Sequence, residues 1–157
     1  MKQTYYKLRR VAKWLPVIWR TREYDYRYLI DINLFQLEQM AKFFESSDTV
    51  SMESKDIARR IRTVHNLMKK VYDEDYALEC FSKMEQLYGE CNMEFRKIGT
   101  SNLYEIVDVY DREYTEEELE KIKIHRSQLI KESERKQERA HDLLWRLISH
   151  NIRRWWD

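Results

Sequence analysis

Apolar residues recur along much of this chain at steps of three and four, the period of a helix face. The clearest stretch is 54–72, where Ile57, Ile61, Val64, Met68 and Val71 form one stripe. Ser54 is the expected N-cap there, and Asp56 stands in the first turn, where the helix dipole favours an acid. Asp73-Glu74-Asp75 interrupts the pattern. A second stripe, Ala77, Cys80-Phe81, Met84 and Leu87-Tyr88, then runs to Gly89, a natural helix stop. Over 24–45 two periods compete. Tyr24, Tyr26, Tyr28, Ile30 and Ile32 alternate as in a strand, while Leu29, Ile32, Phe35, Met40, Phe43 and Phe44 give a helical face. No turn signal divides this segment, which is too long for one strand, so a helix is predicted. Tyr5, Leu8, Val11, Ala12 and Leu15 predict a short basic helix over 4–15. Its apolar face is expected to cover the core, and Pro16 to end it.

The pattern changes over 93–110. Met93, Phe95 and Lys97 alternate with Glu94, Arg96 and Ile98; Gly99-Thr100-Ser101-Asn102 is turn chemistry; Tyr104, Ile106, Val107 and Val109 follow as a β-branched run. This predicts a β-hairpin. A lone two-stranded ribbon is marginal in water, so it must lie on the helices or pair with another chain. Beyond it, Thr115 with Glu118 forms a capping box, and nothing breaks the helix from there to the end. A helix of roughly 40 residues would be about 60 Å long. No apolar residue lies between Ile130 and Ala140, so its middle is expected to be solvated or to touch a partner.

Composition agrees with this layout. Two Gly and one Pro in 157 residues, with 36% charged residues, favour long helices over a sandwich or barrel. The fold expected is mainly α, four or five helices with one β-hairpin and a long C-terminal helix, in a single domain 1–157. The net charge is only +1, which gives no global cationic field for bulk nucleic-acid binding. Charge is nonetheless segregated: residues 1–23 hold seven basic residues and one acidic, and 103–121 hold eight acidic and two basic. Two cysteines cannot build a disulfide framework, and Cys80 reads as a small buried thiol. No run approaches transmembrane length, so no membrane is expected among the partners.

Catalytic motifs are tested and fail. His141-Asp142 has the adjacency of a phosphohydrolase metal pair, but its companion ligands are missing. Glu113/Glu116 and Glu117/Glu120 have half of a carboxylate-rich magnesium motif, without the second half. Asp73-Glu74-Asp75 suits helix ends better than a cation. No cofactor, catalytic residue or metal ligand is therefore assigned. The candidate binding residues are cations of the N-terminal segment, Lys7, Arg9, Arg10, Lys13, Arg20 and Arg22, with Tyr5, Tyr6 or Trp14 available to stack on a base. The five tryptophans stand at the two ends: Trp14 and Trp19, then Trp145, Trp155 and Trp156. Such large apolar groups predict that the ends clamp together as the closure of the fold, or form an interface.

Trp14-Leu15-Pro16-Val17-Ile18-Trp19-Arg20, Asp25-Tyr26 leading into a helix, and the close Asn151-Ile152-Arg153-Arg154-Trp155-Trp156-Asp157 resemble a group of small uncharacterised proteins of tailed bacteriophages. The likeness covers the ends and the general layout, about half the chain. It implies a phage-encoded protein in the host cytoplasm and brings no assigned chemistry. The function expected is that of a non-enzymatic interaction protein. It would engage a host or phage protein, blocking or sequestering a defence or replication component, with homo-oligomerisation possible. A nucleotide or nucleic-acid binder using the basic N-terminal segment is the first alternative, and a metal-dependent phosphohydrolase the second.

Overall fold

In a computed structural model the described residues are 2–20, 24–46, 53–100 and 102–155. They form α1 (Lys2–Arg20), α2 (Tyr26–Glu45), α3 (Ser54–Tyr72), α4 (Asp75–Tyr88), β1 (Cys91–Lys97), β2 (Tyr104–Tyr110) and α5 (Glu116–Asn151). The mainly helical class, the hairpin and the long last helix are as the periodicity predicts. The chain divides into two compact units, one of residues 1–73 with 140–157 and one of residues 74–139. Among the described residues no helix is long and apolar enough to cross a membrane.

In the first unit, α2 and α3 pair antiparallel. Arg27 of α2 meets Asp73 just beyond α3 at 3.2 Å, and Tyr26 lies against Tyr72. Further along, Arg62 of α3 reaches both Glu38 and Glu45 of α2. Between these polar ties the two stripes meet: Ile30, Leu37, Ala41 and Phe44 from α2, and Ala58, Ile61, Val64, Met68 and Val71 from α3, are all buried. Leu144 of α5 is fully enclosed in this unit, and Trp155 is 3% exposed. Asp25 caps α2 by accepting the Arg27 amide at 2.9 Å. At α3 the expected cap moves by one place. Ser54 is the first helical residue, and Glu53 holds the cap position without a side-chain capping hydrogen bond.

Pro16 does not end the first helix. α1 continues through it to Arg20. Proline forfeits one helical hydrogen bond, but its φ near −65° is already helical, so an exposed helix can carry it at a cost in stability.

In the second unit, α4 and α5 run antiparallel, tied by Lys136 to Glu79 at 2.7 Å and by Tyr88 Oη to His125 Nδ1 at 2.6 Å. Cys80, Met84, Ile122 and Leu129 form the core, with Tyr88, Tyr110, Tyr114 and Ile130 packed around it. The middle of α5 is less solvated than its lack of apolar residues suggests, because Ser133 is 2% exposed. The predicted capping box starts α5: the Thr115 amide donates to Glu118 at 2.8 Å, and the Glu118 amide donates back to the Thr115 hydroxyl. That bonding holds the Glu118 carboxyl below its ordinary range. The hairpin is antiparallel, with Cys91 opposite Tyr110 and Lys97 opposite Tyr104.

Gly89 makes the turn from α4 into the hairpin. Its φ of 82° lies in the region that favours glycine, and a Cβ there would stand 2.0 Å from the Asp111 carboxylate.

Candidate functional site

α1 has two faces, and the structure orients them opposite to expectation. At 100° per residue, Tyr5, Leu8, Val11, Ala12, Leu15, Ile18 and Trp19 fall on one side, and Arg9, Arg10, Lys13, Trp14, Val17 and Arg20 on the other. The mixed basic side meets the fold. Trp14 packs edge-on against Phe35 of α2 with ring centroids 4.6 Å apart, and Lys13 Nζ donates to Gln39 at 3.4 Å. Among the described side chains of the helix, Trp14 and Val17 are the half-buried ones. The apolar side faces outward, with every large member more than half exposed. The expectation that this stripe covers the core is therefore overturned. Trp14 and Val17, three residues apart, supply the anchor instead, with the Trp14 ring set against Phe35.

Of the candidate binding residues, Arg10 and Lys13 line a cavity of about 280 Å³ with Trp14, Phe35 and Phe43. Lys13 and Arg20 line a second of about 380 Å³ with Val17, Asp31 and Phe35. Lys7 and Arg9 are exposed and line neither. Arg22 lies outside the described residues.

Trp19 does not take part in the predicted clamp of the two ends, because it is almost wholly exposed. Trp14 belongs to the α1–α2 contact, and Trp19 is 85% exposed. Trp145 is partly exposed, and its indole N–H donates to His141 Nε2 at 3.0 Å. The His141 ring also lies edge-on to Tyr72, whose phenol is pushed up by burial, with Trp145 opposing the shift. Trp155 is core and Trp156 lies outside the described residues. Among the described tryptophans Trp155 is the buried one and Trp19 the most exposed. His141 is drawn into this aromatic stack rather than into a ligand set with Asp142. Among the described residues no three His, Cys, Asp or Glu side chains come together to hold a metal ion.

A further cavity, of about 320 Å³, lies in the second unit between α4, the hairpin and α5. Cys80, Met84, Cys91, Tyr110, Arg126 and Ile130 are among its lining. Arg126 is paired with Asp108 of β2, and burial, with Cys91 alongside, pushes the Tyr110 phenol up to about 12. The arrangement joins the hairpin base to α5 and leaves the distal hairpin uncovered: Met93, Phe95, Tyr104 and Ile106 are all at least 60% exposed. Neither the outward turn of α1 nor this bare strand pair has a marker in the periodicity, which identifies an apolar face but not what covers it. No protein-family model, no curated protein and no solved structure matches the chain.

Proposed function

We propose that this chain is a non-enzymatic interaction protein that docks a partner protein through the outward face of α1. The observation that supports this most directly is the continuous stripe of Leu8, Val11, Leu15 and Ile18, all exposed, on a helix anchored to the fold by its opposite side. An amphipathic helix held in this way fits the helix-in-groove mode of recognition, with anchors at i, i+3, i+7 and i+10. α1 contains no acidic residue, and Lys7 and Arg9 flank the stripe. The complementary groove would be apolar with an acidic rim; two α1 helices placed together would set like charges side by side. With the likeness at the chain ends, the proposed setting is the cytosol of an infected bacterium. The proposed partner there is a host defence or replication component, or a phage protein, which docking would block or sequester.

The test compares the wild-type chain with Leu8→Glu/Leu15→Glu in affinity capture from host cells, followed by reconstitution with the purified partner. The variant should keep its far-UV spectrum and lose a stoichiometric partner. Equal capture by both chains would refute the assignment, as would binding of α1 to anionic vesicles with no protein bound.

A second reading has its own observation. Arg10, Lys13 and Trp14 line one cavity, a placement that suits an anion beside an aromatic ring. It requires a nucleotide or oligonucleotide affinity that falls steeply with salt and is lost in Arg10→Ala/Lys13→Ala. Titration with a labelled oligonucleotide at two salt concentrations decides it.

A further inference from the structure

Among the described residues β1 is hydrogen-bonded on one side only, to β2, and every residue of it is exposed. Its backbone parity can be read from the ends of the ladder. The Ile98 amide donates to the Leu103 carbonyl at 2.9 Å, and the Asp111 amide to the Glu90 carbonyl at 3.0 Å. Both bonds follow the register of the hairpin, so even-numbered residues of β1 direct their amides and carbonyls to β2. The odd-numbered residues, Cys91, Met93, Phe95 and Lys97, direct theirs to the open edge. This edge carries no proline and no bulge, the devices that commonly blunt such strands.

The side chains restrict what the edge can accept. Consider a second copy of β1 laid antiparallel across a two-fold axis. An axis at Glu94 sets acid against acid, and one at Arg96 sets base against base. Axes at Met93 or Lys97 leave no opposite-charge pair within β1, and the latter opposes two lysines. An axis at Phe95 does otherwise. Phe95 lies opposite its own counterpart in a hydrogen-bonded pair, as its outward amide requires. Glu94 then lies opposite Arg96 of the second copy, and Arg96 opposite its Glu94. These are non-hydrogen-bonded pairs, in which side chains approach most closely. Met93 pairs with Lys97 on either side, so the lysine stem covers apolar surface.

From this parity and charge pattern we infer that the chain forms a two-fold dimer through β1, joining two hairpins into one four-stranded antiparallel sheet. The contact answers the marginal stability of a two-stranded ribbon, since four strands share each other's hydrogen bonds. It is isologous, so it closes at two copies and does not propagate. β2 offers no equivalent: Glu105 and Asp108 give its edge acids without a base, and Asp108 is committed to Arg126.

The test is the mass in solution by sedimentation, with a charge exchange across the axis. The wild-type chain should sediment at twice 19.6 kDa. Glu94→Arg and Arg96→Glu alone should each raise the dissociation constant about tenfold or more, because both copies then present like charges. An equimolar mixture of the two variants should recover a dimer containing one of each. Phe95→Pro removes one outward amide and spares every bond to β2, so it should give a monomer with the far-UV spectrum intact. The dimer should also persist in the Leu8→Glu/Leu15→Glu chain, which separates it from any association through α1. A monomeric wild-type chain, a dimer surviving Phe95→Pro, or a mixture that restores nothing would overturn the inference.

Discussion

Glu38 shows how much a single side chain settles in the first unit. Its carboxylate takes the Lys42 ammonium at 2.9 Å and also bonds Arg62, and these cations hold it below the ordinary carboxylate range, the Lys42 bond first. A carboxyl depressed in the folded chain contributes stability that is present above its unfolded pKa and is lost as the pH falls through the folded one. Thermal stability should therefore decline on acidification below about pH 4.5. Glu38→Gln should flatten that limb and cost about 1 kcal/mol at neutral pH, the weight of a part-exposed charged hydrogen bond. A melting series from pH 3 to 7 for both chains checks the sign. Leu144, fully enclosed, gives a plainer case: Leu144→Ala should cost about 2–5 kcal/mol, read by denaturant unfolding. Gly89→Ala combines a positive φ with an occupied Cβ position, so Asp111 has to move. The expected loss is about 1–3 kcal/mol, more than an ordinary glycine substitution in a turn.

At the scale of elements, the success of the sequence follows the source of each signal. α3 was legible because four of the five residues at helical spacing, Ile61, Val64, Met68 and Val71, are buried, with Ala58 beside the half-buried Ile57 completing the face. The α5 start was legible because Thr115 and Glu118 act on each other across one turn, with no help from the rest of the fold. The hairpin was legible through its turn residues, although the strand begins two residues earlier, at Cys91. α1 was misjudged twice for one reason. Its stripe and its proline were weighed as local signals, while the position of the helix is decided by Trp14 against Phe35, a contact made across 21 positions of sequence. Pro16 also leaves a testable trace. Pro16→Ala should restore a hydrogen bond within α1, raising local stability by up to about 3 kcal/mol. Amide exchange in the last turn, 17–20, should slow accordingly, with little change in α3.

For the whole chain, the unequal cores set an order of opening. The first unit encloses nine residues on α2 and α3 together with Leu144 and Trp155, whereas the second rests on Cys80, Met84, Ile122 and Leu129 with partly buried tyrosines around them. Local opening follows the density of buried contacts. Hydrogen exchange should be slowest in the middle of α3, faster in α4 and fastest in α1. Equal protection in α1 and α3 would contradict this order. Trp155 extends the same logic to the end of the chain: Trp155→Ala should cost about 3–5 kcal/mol, measured as a fall in Tm. The outward stripe of α1 has another consequence, one of dosage. Copies produced beyond the supply of a partner have nowhere to place Leu8, Val11, Leu15 and Ile18 except against one another or against whatever else is sticky in the cell. Overproduction alone should then cloud a lysate, and supplying the right partner in equal amount should clear it without changing the yield.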